Sequence, residues 1–153
     1  MSKMKAAGTA LGHDSPQERS AEGRHYTILV VDDDDLLRRL LVEWLVMAGY
    51  EVREAIDGQA AVESLLAQPA GLVITDMHMP GASGAGVLAM LQRHHPGTPA
   101  IAVSAHFGSG RGYSAENAIA LGARRVLAKP FSRTDLLEAV REVLDADRPA
   151  AAP

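Results

Sequence analysis

Five short strand-like runs alternate along this chain with stretches of helical periodicity. The first, Tyr26–Val31 (YTILVV), is apolar, rich in β-branched residues and bounded by acids, as suits a strand buried on both faces. The others are Tyr50–Ala55, Gly71–Thr75 (GLVIT), Pro99–Ser104 (PAIAVS) and Arg124–Ala128. Between them, Leu36, Leu37, Leu40, Leu41, Trp44 and Leu45 recur at helical spacing up to Gly49, and read as a core-facing stripe. Val62, Leu65 and Leu66 mark a second helix. A third runs from about Ser83 to His94, with Ser83 as its cap, and a short fourth from Ser114 to Leu121. Ser132, with Asp135 three residues on, opens a last helix whose core face is Leu136, Leu137, Val140, Val143 and Leu144. Strand–helix alternation repeated five times predicts an α/β fold, a parallel sheet with helices on both faces. In such open sheets, sites form outside the C-terminal ends of the strands.

Composition narrows the function. At 153 residues, 47% hydrophobic and 22% charged, the chain can bury one core. It has no cysteine, which excludes a disulfide scaffold, a thiolate metal site and a cysteine nucleophile. A net charge of −4 argues against direct nucleic-acid binding, which needs clustered Lys and Arg. No apolar run approaches the roughly 20 residues of a membrane span, and no signal-peptide pattern opens the chain. The expectation is a cytoplasmic protein that does not engage membranes. Residues 1–25 lack large apolar side chains and read as a flexible tail, 26–146 as the folded domain, and 147–153 as a tail or the start of a linker.

The polar residues at the strand ends carry the chemistry. Asp32, Asp33, Asp34 and Asp35 follow the first strand, and Asp76 ends the third within TDMHMPG. Ser104 ends the fourth, and Lys129, followed by Pro130 and Phe131, ends the fifth. Converging carboxylates repel unless a cation compensates. Oxygen-only ligands suit a hard ion such as Mg²⁺. Asp34 or Asp35 is expected to cap the first helix. Met77 and Met79 read as packing, and His94-His95 as a solvated helix end.

This set resembles the receiver domain of two-component response regulators, the CheY-like family, over about Tyr26 to Asp145. The residues that carry the resemblance are Asp32-Asp33, Asp76, Ser104 and Lys129. It implies the flavodoxin-like (βα)5 fold with strand order 2-1-3-4-5. It implies that Asp76 is the phosphoacceptor, receiving a phosphoryl group from a histidine kinase, a histidine phosphotransfer protein or a small donor such as acetyl phosphate. Asp32, Asp33, Asp76 and the backbone carbonyl of His78 would hold Mg²⁺, with Mn²⁺ able to substitute. Lys129 would pair with the phosphoryl group and Ser104 would donate a hydrogen bond to it. The Lys129–Pro130 bond would be cis. Output would be a protein contact through the face of the fourth helix, fifth strand and last helix, where Arg111, Arg124 and Arg125 could supply charge, or pairing with a second copy. Catalysis would be limited to the protein's own phosphorylation and dephosphorylation. The stretch after the last helix is too short for an effector domain. A stand-alone receiver, or one receiver of a longer regulator or hybrid kinase, is therefore expected.

The sequence departs from the family at Val126, where an aromatic three residues before the lysine is usual. Output by a swinging ring is then replaced by another route. Phe107 and Tyr113, in a glycine-rich segment, are candidates to stand in for that ring. His78 and His106 lie two residues after Asp76 and Ser104, at positions that tune hydrolysis in the family. Imidazole titrates near pH 6.5, so phosphoryl lifetime is expected to vary between about pH 6 and 8. Two other readings compete. One is a degenerate receiver that binds partners without phosphorylation. The other is a haloacid-dehalogenase-type phosphatase built on Asp32 and Asp34, which leaves TDMHMPG without a role.

Overall fold

A computed structural model describes residues 26–79, 83–105 and 114–146. Strands β1 (Thr27–Val31), β2 (Glu51–Ala55), β3 (Leu72–Asp76), β4 (Ala100–Ser104) and β5 (Arg125–Ala128) alternate with helices α1 (Asp35–Met47), α2 (Gly58–Ala67), α3 (Gly84–His94), α4 (Ala115–Ala120) and α5 (Arg133–Ala146). The strands form one parallel sheet in the order β2-β1-β3-β4-β5. This is the doubly wound architecture expected from the alternation.

The two-residue period of a strand divides the core. Ile28, Val30, Leu72, Ile74, Ile101 and Val103 face one side, against Leu41 and Leu45 of α1 and Leu136, Val140 and Leu144 of α5. Leu29, Val31 and Val73 face the other, against Leu65 of α2, Val87, Leu88 and Leu91 of α3, and Ala118 of α4. The three central strands are apolar at nearly every position because both their faces are covered. Edge strand β2 instead carries Glu51, Arg53 and Glu54.

The helix starts follow local chemistry. Asp34 caps α1, its side chain accepting from the N–H groups of Leu36 (3.0 Å) and Leu37 (3.2 Å). Ser83 caps α3. Ser132 and Asp135 exchange hydrogen bonds, each 3.0 Å, at the start of α5. His94 ends α3 and His95 follows as its cap. Met77 and Met79 are buried among apolar side chains.

The leucine stripe of α1 requires a correction. Leu36 is 82% exposed and Leu40 is exposed too, while Trp44 and Leu37 are only partly buried. Six apolar positions span a wider arc than one sheet face can cover at about 100° per residue. The buried arc centres on Leu41 and Leu45, with Arg38 beside them. Leu66 on α2 is likewise exposed, and Leu137 on α5 is only partly buried.

Candidate functional site

Because β2 and β3 lie on opposite sides of β1, the connections after β1 and β3 diverge and leave a crevice at the C-terminal edge of the sheet. Asp32 leaves β1 at this crevice and Asp76 is the last residue of β3. Asp32, Asp33 and Asp76 each present a carboxylate oxygen there, all within 4.8 Å of one another. Asp33 is exposed, whereas Asp32 and Asp76 are 2% and 5% exposed. The Lys129 ammonium reaches in from the end of β5, 3.6 Å from both Asp32 Oδ2 and Asp76 Oδ1.

Main-chain bonds hold these residues. The N–H of Asp32 donates to the Ala55 carbonyl of β2 (3.1 Å), and that of Met77 to the Val103 carbonyl of β4 (2.9 Å). The N–H of Lys129 donates to the Ser104 carbonyl (2.9 Å), pinning the lysine to the end of β4. Ser104 is fully buried and paired in register with Ala128. The Lys129–Pro130 peptide is cis. Thr75 donates its hydroxyl to the carbonyl of Asp76 (3.0 Å).

Burial pushes the Asp32 carboxyl above the usual carboxylate range. The Asp34 N–H, bonded to Asp32 Oδ1 at 2.9 Å, and the Lys129 charge oppose that rise, while Asp33 and Asp34 add to it. Burial raises Asp76 in the same way; Lys129 and the His78 N–H oppose, and Asp32 and Asp33 reinforce. One ammonium does not compensate three carboxylates. Hard oxygen donors this close, two of them buried, fit a small divalent cation.

The run of four aspartates therefore divides by direction. Asp32 and Asp33 join the cluster, Asp34 caps α1, and Asp35 turns back to Arg38. His78 is partly buried beside Asp76. Val126 is partly buried against the core half under α2, α3 and α4. Arg125 pairs with Glu142 of α5, and Arg124 is exposed. His106, Phe107, Arg111 and Tyr113 lie outside the described residues.

Two contributors escaped the sequence reading. Gly84 opens α3 directly over the end of β3. A Cβ there would stand 2.8 Å from Met77 Cα and closer still to the Asp76 carbonyl oxygen. Its signal was a glycine just after a cap residue. Arg38 donates to the Asp32 carbonyl at 2.8 Å. Its signal was a charged residue three and seven positions before the buried Leu41 and Leu45.

Comparison with known proteins agrees with this geometry. The family model of the response regulator receiver domain matches residues 28–141. The response regulator protein FleR of Pseudomonas aeruginosa is 33% identical over 113 residues, which are 74% of this chain and 23% of that protein. The C4-dicarboxylate transport transcriptional regulatory protein DctD of Rhizobium meliloti is 33% identical over 115 residues, 75% of this chain and 24% of that one. The chain thus spans about a quarter of the length of these curated relatives. Among solved structures, a CheY-like response regulator receiver domain protein of Methanospirillum hungatei superposes with a TM-score of 0.73 at 28% identity, covering 81% of this chain and 97% of that one. Among the described residues, no helix is long and apolar enough to cross a membrane.

Proposed function

Because this chain belongs to the response regulator receiver domain family of two-component signalling proteins, we propose that Asp76 is its phosphoacceptor. Supporting this reading above all is the convergence of the Asp32, Asp33 and Asp76 carboxylates with the Lys129 ammonium on one edge of the sheet. A carboxylate oxygen of Asp76 forms the new bond to phosphorus as the bond to the donor, a phosphohistidine or acetyl phosphate, breaks. In a loose transfer of this kind, positioning and charge stabilisation do most of the work. Lys129, already 3.6 Å from Asp76, neutralises a phosphoryl oxygen as a compact cation. Ser104, at the neighbouring strand end, donates a hydrogen bond to another. Asp32, Asp33, Asp76 and the His78 carbonyl would hold Mg²⁺, or Mn²⁺ in its place. Bound there, the ion supplies charge neutralisation for the phosphoryl oxygens.

The family is a signalling one rather than an enzyme class, and the chemistry proposed is the protein's own phosphorylation and dephosphorylation. The receiver unit is proposed to span 26–146. Its donor is a histidine kinase or histidine phosphotransfer protein. Its output is a phosphorylation-dependent contact through α4, β5 and α5, with a partner protein or a second copy, in the cytoplasm. Intact mass after incubation with acetyl phosphate and Mg²⁺ tests the core of this reading. A single phosphoryl adduct is expected on the wild type, and none on Asp76→Asn or in excess chelator. An unmodified wild type, under conditions that preserve acyl phosphates, refutes it.

A further inference from the structure

A charged side chain on the buried face of α1 needs a reason, since arginine is rarely buried unless fully partnered. Arg38 is 6% exposed, and three of its nitrogens are committed. Nη1 donates to the Asp32 carbonyl at 2.8 Å, Nε to Glu54 Oε1 of β2 at 2.9 Å, and Nη2 to Asp35 Oδ1 at 2.7 Å. The guanidinium is planar, so three partners fix it in position and direction. It thereby ties α1 and β2 to the peptide that carries Asp32.

The consequence falls on the aspartate. The Asp32 N–H is held by the Ala55 carbonyl, its carbonyl by Arg38, and its Oδ1 by the Asp34 N–H. Its other carboxylate oxygen, Oδ2, faces Lys129. Lys129, Asp33 and Asp34 act on this carboxylate through their charges, whereas the contact that Arg38 makes with Asp32 is to its main-chain carbonyl.

We infer that Arg38 is a positioning residue for cation binding: by gripping the Asp32 carbonyl it pre-aims the Asp32 carboxylate at the acidic cluster. This rests on the metal role proposed above. Groups that orient metal ligands typically contribute about 10–100-fold in metal affinity.

The test is the dissociation constant for Mg²⁺, read by titration calorimetry on the unphosphorylated full chain. Arg38→Met is expected to weaken binding at least about tenfold. Arg38→Lys keeps the charge but not the three-way fork, and should not rescue it; it also carries the test if the methionine variant does not fold. The double variant Asp35→Asn with Glu54→Gln removes both charges but keeps acceptors for the fork, and should bind within about threefold of wild type. Leu65→Ala, a core truncation in the opposite half of the molecule, reports the effect of general loosening and should also stay within about threefold. Wild-type affinity in folded Arg38→Met or Arg38→Lys overturns the inference and leaves the metal site standing. Equal weakening in Leu65→Ala overturns it as well. A wild type that binds no Mg²⁺ overturns the metal role and the inference together.

Discussion

Burying the carboxylates of Asp32 and Asp76 costs the folded chain stability. Burial raises both carboxyls above their ordinary value of 3.8, so the folded chain holds protons that the unfolded chain has already released. Stability from these groups is then present at acid pH and declines as pH rises from about 4 through their raised folded values. Without metal, Asp32→Asn should remove one such contribution. We expect it to unfold in urea with about 1 kcal/mol more stability than wild type at pH 7, and with a flatter fall between pH 4 and 7. Lower stability at pH 7 would show that the Lys129 pair outweighs burial. Gly84→Ala presents the opposite case. Its added methyl meets the backbone of Asp76 and Met77, which cannot rotate away. It should destabilise by about 1–3 kcal/mol in the same assay and slow acetyl phosphate labelling of Asp76. Labelling at the wild-type rate would mean that α3 can retreat without moving Asp76.

Helix α1 joins the cap, the core and the site in one element. Leu41→Ala and Leu45→Ala should each cost about 2–5 kcal/mol, while Leu36→Ala, exposed, should stay within about 0.5 kcal/mol. Asp34→Ala should cost about 1 kcal/mol by orphaning the N–H groups of Leu36 and Leu37. Urea unfolding separates these outcomes, and equal effects at Leu36 and Leu41 would contradict the assigned arc. The helix itself was legible from the spacing of its leucines, but its orientation was not. Leucines at 36 and 40 look the same in sequence as those at 41 and 45, and only the position of the sheet selects between them. Arg38 was obscure for the same reason. Its partner Glu54 lies sixteen residues away on another element.

Across the whole molecule, the sheet order brings the ends of β1, β3 and β5 to one edge, and a ligand bound there would link them. A cation that binds only the folded chain stabilises it by RT ln(1 + [L]/Kd), about 2.7 kcal/mol at one hundred times Kd. Mg²⁺ should therefore raise the unfolding midpoint of the wild type in a concentration-dependent way, and should do so much less in Asp33→Ala. No shift in the wild type would count against the proposed ion. The amino-acid sequence by itself determined the five strand–helix units, the caps at Ser83 and Ser132, an aspartate cap for α1 at either Asp34 or Asp35, and the acids, serine and lysine at the strand ends. Periodicity, β-branching and capping act between near neighbours, so they are written locally. Tertiary structure alone decided which way each of four adjacent aspartates points, which leucines of α1 are buried, and that Arg38 and Gly84 support Asp32 and Asp76. Those outcomes depend on contacts between elements far apart in the chain, where packing geometry rather than local preference selects the partner.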